Sequence, residues 1–484
     1  MKSRALLVAA FAVILLAMHL PYLRLPFHWD ELGQFVPAAL DLFRDGAWIP
    51  HSTQPNIHPP GLMSLLAAVW SFTGFSILSA RLSMLAIAAV GVYLAFLLAI
   101  RLARGGSVGT PAFAAVGFLL AAPMFYTQSL MVLLDVPAMV LTTGALLLFL
   151  DQRYAACAAA CTALVLVKET ALTTPMVFGA WLLFQDRRWR QALYFFAPAA
   201  ALLAWLVILH QATGSWFGNP EFARYNVSAS LNISHLLYSS IRRAYALFLA
   251  DGHWIGLLAL YHGRRFLRTR EWAIAGSVAL AQTLGVTILG GAVLDRYLLP
   301  VLPILYSAFA VAASAYRPRV RMLSNLAMIT LLMTGWFVNS PFPLPLENNL
   351  SVIDFVQLQR SAAQYLESYA RGQRVATAWP LAAALREPDF GYVQSPIATV
   401  VPSGSSMSDF RAVDLTNAGA LVVFSHGQAR PPWLGNLSLI RLLGLEAEPP
   451  EATPEEIAPL GFVSRARFDQ HGQWVEIYSR PGAW

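Results

Sequence analysis

Apolar stretches of roughly 17 to 25 residues recur along the first two-thirds of the chain, and they constrain its fold more than any other feature. A stretch of this length crosses the hydrocarbon core of a bilayer as a helix. Of the 484 residues, 57% are hydrophobic and only 12% are charged, whereas a soluble domain usually has about 25% charged residues. The sequence therefore predicts a multi-span α-helical membrane protein.

We predict eleven membrane-spanning helices. They cover residues 5–20, 81–100, 111–129, 136–150, 155–167, 170–184, 191–209, 244–260, 272–290, 298–316 and 322–340. These helices form a transmembrane domain of residues 1–345. Its long first loop, residues 21–80, carries two further helices that we expect to lie along the membrane surface, in ELGQFVPAALDLFRDG and in HPPGLMSLLAAVWSFTGF, the second with Pro59 and Pro60 in its first turn and its end at Gly74.

The loops between the predicted spans alternate in charge. Fifteen Lys and Arg residues fall on one side, in the N-terminus and in every second short loop, whereas nine of the twelve acidic residues of this part fall on the other. Basic loops stay in the cytoplasm, so we predict a multi-pass protein of the inner or plasma membrane with a cytoplasmic N-terminus. An odd number of spans then places the C-terminal part outside the cytoplasm.

The C-terminal part, residues 346–484, differs in composition from the part that precedes it. It follows the Pro- and Asn-rich linker NSPFPLPLENN and carries a net charge of −4, against +11 for residues 1–345. SVIDFVQLQRSAAQYLESYARG predicts a helix that starts at a capping box of Ser351 and Asp354 and stops at Gly372, and RVATAW, ALVVFS and WVEIYSR predict strands. We therefore expect an extracytoplasmic α/β domain. Because the positive charge belongs to the membrane part, we expect no nucleic-acid partner.

Asp30 and Glu31 follow the first span closely, in the stretch PFHWDELGQF. They lie at the N-terminal end of a predicted helix, where the helix dipole favours carboxylates, so capping that helix is one interpretation. The other interpretation is that they act on a substrate at the outer membrane face. His58, in the turn HPPG, stands at the start of the next predicted helix and faces the same space.

Further ionisable groups lie at the outer ends of later spans. Asp135 is surrounded by apolar residues in LMVLLDVPAMVLTTG, where an ionisable group is costly and indicates a functional site, although it could also cap its helix. Lys168 and Glu169, in VKET, could form a simple turn, or Lys168 could bind a phosphate. Arg296 and Tyr297, in LDRYLLPVLP, suit a phosphate, or could be a pair that extends to the membrane interface.

These motifs together resemble the GT-C glycosyltransferases, of the protein O-mannosyltransferase and aminoarabinose lipid A transferase type. The matching stretches are WDE, HPPG, LLDVPAM, VKET and DRYLLPVLP, in order over roughly residues 1–340. The resemblance implies an enzyme that moves a sugar from a polyprenyl-phosphate donor to an acceptor hydroxyl on the outer face, with inversion. The acceptor would be a glycan, a lipid or a protein, and the sequence does not indicate which sugar is moved.

The resemblance also implies roles for individual residues. Asp30 looks like the base that deprotonates the acceptor, with Glu31 beside it, and Asp135 looks like a second carboxylate of the active site. The donor phosphate would be bound by the residues that match the family's phosphate-binding positions, namely His58, Lys168, Arg296 and Tyr297. His58 stands where the family often has Lys, and Glu169 where it often has a small residue. No cofactor is implied with certainty, although Asp30, Glu31 and Asp135 could together bind a divalent metal ion.

A different class of membrane protein also has many spans and buried charges. A polytopic transporter, or a glycan-export component without catalysis, is the alternative to an enzyme. Transporters usually hold such charges near the midplane, between two repeated halves. The charges here fall at one membrane boundary and the sequence has no evident half-repeat, which favours the enzyme.

Overall fold

The computed structural model describes residues 2–103, 109–224, 226, 231–342, 346–425 and 452–483. Up to residue 342 this part of the chain is helical. Its α-helices of eight or more residues are Lys2–His19, Val36–Asp45, Gly61–Thr73, Ile77–Leu102, Gly109–Ala121, Asp135–Leu150, Tyr154–Val167, Thr173–Ala180, Phe196–Thr213, Ile233–Phe248, His253–Gly263, Arg270–Ile288, Leu302–Ala312 and Pro318–Thr334. Shorter helical turns join several of them, among them Pro123–Gln128, Pro220–Ala223 and Asp295–Val301.

Four helical stretches of the described residues are long and apolar enough to cross a membrane. They are Arg4–Tyr22, Ile77–Leu102, Trp189–Thr213 and Asp295–Ala315. A fifth is a pair, Ile233–Phe248 and Ala250–Leu267, bent by 43°. Each of the eleven predicted spans overlaps one or more helical segments. The segments outside these five stretches do not reach the length and hydropathy of a span, so the number eleven stays a prediction.

The first loop forms the two helices that the sequence predicts. A π-helical turn, Glu31–Phe35, runs into the helix Val36–Asp45, which ends at Gly46 in the left-handed conformation (φ 68°) that favours glycine. The second helix, Gly61–Thr73, ends at Gly74 as predicted. Its start is packed so closely on the backbone of Leu166 that a Cβ on Gly61 would collide with the Leu166 carbonyl.

A buried ion pair fastens the first loop to the helix bundle. Glu31 and Arg81 are 0% and 1% exposed, and the Arg81 guanidinium donates to the Glu31 carboxylate and to the backbone carbonyls of Leu25, Pro26 and Leu130. The carboxylate also accepts hydrogen bonds from the backbone N–H groups of His28 and Val132. A charge buried this deeply is tolerated only when it is paired and hydrogen-bonded, so the pair holds three backbone segments together.

The C-terminal part is an α/β unit. Its strands are β1 Arg374–Thr377, β2 Thr399–Val400, β3 Ala418–Phe424, β4 Val463–Gln470 and β5 Gln473–Ser479. Its helices are Ser351–Tyr369, Leu381–Arg386, Met407–Arg411 and Pro454–Ile457. The strands form one sheet in the order β2-β1-β3-β5-β4, in which β1 is parallel to β2 and β3, and β5 is antiparallel to β3 and β4. The three predicted strands are confirmed as β1, β3 and β5, whereas β2 and β4 were not predicted.

The predicted capping box at the start of helix Ser351–Tyr369 is wrong. Leu350 is the N-cap residue, and the backbone N–H of Ser351 donates instead to the side chain of Asn349. Asp354 accepts hydrogen bonds from Gln470 and His471, at the turn between β4 and β5, so it fixes that hairpin to the helix.

The first loop and the α/β unit share one hydrophobic core. Phe27, Phe35 and Leu40 of the loop pack in the same cluster as Phe355 and Phe424 of the unit. Two hydrogen bonds cross the same contact, from the Phe27 N–H to the Phe390 carbonyl at 3.1 Å and from the Tyr392 hydroxyl to the Phe27 carbonyl at 2.9 Å. The loop that carries Asp30 is therefore held between the bundle and the α/β unit.

Replacing Arg81 by Met should leave the buried Glu31 carboxylate without its cation, at a cost of about 3–5 kcal/mol in stability. The thermal unfolding midpoint of the purified protein in detergent should fall accordingly. The control is Arg44→Met, because Arg44 pairs with Asp389 at the surface with half its side chain exposed, and an exposed pair contributes little. The double variant Glu31→Met with Arg81→Met should be more stable than Arg81→Met alone. Equal midpoints for Arg81→Met and Arg44→Met would contradict this assignment.

Candidate active site

A cavity of about 970 Å³ lies between the first loop, the bundle and the α/β unit. Six of the seven residues singled out in the sequence line it, namely Asp30, His58, Asp135, Lys168, Arg296 and Tyr297. The remaining wall is partly apolar, and includes Leu172, Met176, Leu202, Val286 and Leu289 from helices of the bundle or their ends. A cavity of this size, with a few convergent polar groups and an apolar wall, is typical of a ligand site.

Arg296 is the cation around which the carboxylates of the cavity gather. Its guanidinium donates to Asp30 and to Glu347, and its Nε lies 3.3 Å from a carboxylate oxygen of Asp135. The Arg296 side chain is only 3% exposed, so it does not extend to the membrane interface, which was the alternative interpretation of this residue. We call Arg296, Asp30, Asp135 and Glu347 the Arg296 cluster.

Lys168 lies beside this cluster. Its ammonium group donates to Asp135, and it stands over the ring of Tyr297, 4.2 Å from the centroid. Lys168 directly follows the last residue of helix Tyr154–Val167, which ends with its backbone extended at Lys168 (φ −147°, ψ 110°). That break in the helix turns the side chain into the cavity, so Lys168 and Glu169 form more than a simple turn.

The carboxylates of Asp30 and Asp135 do not cap their helices. Asp30 occupies the N-cap position of the turn Glu31–Phe35 but makes no capping hydrogen bond, and its Oδ2 accepts from Arg296 instead. Asp135 is the first residue of its helix and pairs with Lys168 and Arg296. Capping was the main alternative for both residues, and the geometry assigns their carboxylates to the cavity.

The two residues at which the sequence departs from the family pattern contact each other. His58 Nδ1 lies 2.8 Å from a carboxylate oxygen of Glu169. The close approach of Gly61 to the backbone of Leu166 brings the two together. Burial alone would raise the pKa of Glu169, but the charge and hydrogen bond of His58 and the charge of Lys168 hold it below its ordinary value. The Glu169 carboxylate therefore fixes the orientation of the His58 imidazole in the cavity wall.

Glu31 is separated from the other predicted site residues. It does not line the cavity, because its carboxylate is bound to Arg81 on the opposite side of the turn. The divalent metal site suggested for Asp30, Glu31 and Asp135 is not formed either. Among the described residues, three His or carboxylate side chains lie close enough together to share an ion elsewhere in the first loop, at Asp41, Asp45 and His51.

Glu347 is a residue of the site that the sequence did not reveal. It lies in the turn Leu346–Asn348, just before the α/β unit, and its backbone carbonyl accepts hydrogen bonds from Thr127 and Gln128. The next residue, Asn348, donates to Asp295 at 2.7 Å, so two consecutive residues contact the consecutive pair Asp295 and Arg296. A lone acid in a Pro- and Asn-rich linker carries no local sign of such a partner.

The pKa of Glu347 is raised to about 7. Burial is the largest cause, and the charge of Arg296 opposes it, whereas the carboxylates of Asp30 and Asp135 reinforce it. Three carboxylates share Arg296, and Lys168 is a second cation in contact with one of them. A carboxylate that shares a buried site with others gives up its proton less readily, in agreement with the raised pKa of Glu347.

Solved structures share this architecture, whereas no protein-family profile and no curated protein matches the sequence. ArnT from Cupriavidus metallidurans, bound to undecaprenyl phosphate, is similar over 97% of this chain and 97% of that chain, with a TM-score of 0.55 and 15% sequence identity. The chain has the fold of ArnT. The apo state of ArnT is similar over the same shares of both chains, with a TM-score of 0.53 and 15% identity. AglB from Archaeoglobus fulgidus, an archaeal oligosaccharyltransferase, is similar over 98% of this chain and 74% of that chain, with a TM-score of 0.49 and 12% identity.

The structure of ArnT contains a bound polyprenyl phosphate, undecaprenyl phosphate. The resemblance that the sequence motifs indicated is confirmed for the fold. The similarity to ArnT also includes most of the C-terminal part, since it covers 97% of this chain, whereas the sequence motifs ended near residue 340.

The effect of pH on stability should depend on Glu347. A carboxyl group whose pKa is higher in the folded than in the unfolded state contributes stability below its unfolded pKa, and that contribution is lost as pH rises through the folded value. The unfolding midpoint of the wild type should therefore fall relative to that of Glu347→Gln between pH 5 and pH 8, as measured by thermal unfolding in detergent. Glu367→Gln, at a more exposed glutamate of the α/β unit, serves as the control. A constant difference between wild type and Glu347→Gln across this range would show that Glu347 does not take up the proton.

Proposed function

We propose that this protein is a glycosyltransferase that moves a sugar from a polyprenyl-phosphate donor to an acceptor hydroxyl at the outer face of the membrane. The observation that carries the proposal is the single cavity in which Asp30, Asp135, Lys168 and His58 lie together beside an apolar wall. The fold shared with ArnT supports the same class of reaction. The protein is then a multi-pass protein of the inner or plasma membrane, with the α/β unit outside the cytoplasm.

In this proposal Asp30 is the base. Arg296 binds one carboxylate oxygen of Asp30. About a fifth of the Asp30 side chain is exposed, and Asp30 lines the cavity. The second oxygen is thus available to an acceptor hydroxyl, and Arg296 fixes its direction. Attack by that hydroxyl on the anomeric carbon breaks the bond to the phosphate, which leaves with the electron pair, while Asp30 takes the proton. A single displacement of this kind inverts the anomeric centre.

The departing phosphate gains negative charge, which fixed cations in a water-poor site stabilise. Lys168 is the cation suited to this role, and the His58 ring lines the same cavity and can donate a hydrogen bond. Arg296 is surrounded by three carboxylates, so we assign it to positioning Asp30 and Asp135 rather than to binding the phosphate. Tyr297 contributes its ring, on which Lys168 rests. The apolar wall formed by Met176, Val286 and Leu289 suits the isoprenoid chain.

The test is the release of polyprenyl phosphate from a labelled polyprenyl-phosphate hexose by the purified protein, with membranes of cells that lack the gene as the source of acceptor. Asp30→Asn should lower the rate by about 10²–10⁴-fold, which is the usual contribution of a general base. The control is Asp45→Asn, an exposed acid of the same loop outside the cavity. Unchanged release by Asp30→Asn would refute the assignment of the base.

A transporter or glycan-export component would behave differently in the same experiment. It would leave the phosphate–sugar bond intact, and in proteoliposomes it would move the labelled compound across the bilayer without releasing polyprenyl phosphate. Neither wild type nor Asp30→Asn would then show turnover.

His58 should contribute to donor binding through its ring, which lines the cavity. His58→Ala should therefore raise the KM for the donor, and His58→Lys, which keeps a polar group at this position, should restore much of the binding. Glu169→Gln should also raise the KM, because the Glu169 carboxylate positions the imidazole through its contact with Nδ1. A KM that His58→Ala leaves unchanged would exclude His58 from the donor site.

A further inference from the structure

Two tryptophans form one side of the cavity, next to the proposed base. Trp29 directly precedes Asp30, and Trp379 comes from the α/β unit, just after strand β1. Their ring centroids are 6.2 Å apart and their planes make an angle of 67°. Both side chains are half-buried and both line the cavity. The exposed parts of the two indoles thus form an angled aromatic surface inside the site.

The local backbone makes room for this surface. A Cβ on Gly33 would come within 2.7 Å of the Trp379 ring, so only glycine at position 33 allows Trp379 to approach the turn Glu31–Phe35 so closely. Trp29 has a φ of 49°, in the left-handed region that bulky residues rarely occupy. Such a conformation is strained and is found mainly at functional sites. The Trp29 side chain is only partly buried and lies on the cavity wall.

Polar side chains border the same surface. Gln34, Thr53 and Gln54 line the same cavity as the two indoles, and Gln34 directly follows Gly33, which packs on Trp379. Within the described part of the chain, Gln34 accepts a hydrogen bond from Asn56 through its carbonyl oxygen, and its amide nitrogen and the Gln54 side chain are hydrogen-bonded to no other residue. The surface therefore combines a flat apolar area with amide groups that remain able to bind hydroxyls.

We propose that Trp29 and Trp379 form a subsite for a pyranose ring, in which the C–H face of the sugar stacks on the indoles and its hydroxyl groups bind the amides of Gln34 and Gln54. A pyranose has the matching chemistry, because one face carries C–H groups and the rim carries hydroxyls, and the negative face of an indole attracts the polarised C–H groups. This inference rests on the proposed glycosyltransferase function, and it specifies that the site recognises the ring of a sugar and not only a single hydroxyl.

The position of the subsite separates it from the lipid. The apolar wall comes from helices of the bundle, whereas Trp379 belongs to the α/β unit and Trp29 to the loop packed against that unit. Asp30 lies next to Trp29 in the chain, so a ring stacked there has its hydroxyls close to the base. The ring is either that of the acceptor or that of the sugar being moved, and the two sources can be distinguished by experiment.

The test uses methyl hexopyranosides as probes and the full-length protein in detergent micelles. Saturation-transfer NMR at ~10 mM probe, a range in which weak ligands bind measurably, should show transfer to the C–H protons of one ring face in the wild type. Trp379→Ala should weaken binding about tenfold, which corresponds to the loss of one good contact. Trp379→Phe should retain most of it. The absence of any transfer in the wild type, or equal transfer in Trp379→Ala, would overturn the proposal.

Trp474→Ala is the matched control. Trp474 lies in strand β5 of the same unit, is half-buried, and stacks on Arg467 outside the cavity. This variant should bind the probes as the wild type does. An equal loss of binding in Trp474→Ala and Trp379→Ala would show that damage to the α/β unit, and not the aromatic surface, is the cause.

Two further measurements separate this proposal from the proposed function. Undecaprenyl phosphate should bind to Trp379→Ala as tightly as to the wild type; no binding to the wild type would refute the donor class while leaving the sugar subsite intact. Preloading the wild type with a polyprenyl-phosphate hexose should abolish probe binding if the subsite holds the donor sugar, and should leave it unchanged if the subsite holds the acceptor. Either result supports the subsite and assigns its occupant.

Discussion

The whole arrangement of the cavity depends on one buried guanidinium. Arg296 is almost fully shielded from water, and such a group is tolerated in a protein interior only when carboxylates and hydrogen bonds surround it. Those carboxylates come from positions 30, 135 and 347, which lie in the first loop, at the start of a helix of the bundle and in the linker to the α/β unit. One electrostatic requirement thus fixes three distant parts of the chain relative to each other.

Many residues of the cavity could be predicted from the sequence, because charged residues are rare in an apolar chain and each one needs a structural or functional explanation. The alternation of basic and acidic loops assigned Asp30, His58, Asp135, Lys168 and Arg296 to a common side, and the structure brings them to one cavity. Periodicity also predicted the two helices of the first loop and three of the five strands. The number of membrane crossings does not follow from apolar length alone, since several helices here are shorter than a bilayer requires.

The sequence does not show toward which partner each of two adjacent acidic side chains points. Asp30 and Glu31 are adjacent and chemically alike, but successive residues of a helical turn point in directions about 100° apart, so one reaches Arg296 and the other Arg81. Arg81 does carry a signal in the sequence, because a charge at the start of an apolar helix indicates a buried partner or a functional site. Glu347 carried none, because its partner is 51 residues away in the chain. Likewise β2 is only two residues long and has no alternation to detect.

The contact between the first loop and the α/β unit has a consequence for biogenesis. Residues 27 to 40 complete their core only with side chains such as Phe355 and Phe424, which are synthesised more than three hundred residues later. A nascent chain whose helices have already entered the bilayer therefore still lacks a finished cavity. The wall that carries Asp30 is completed only during the last third of translation, after the membrane part has been made.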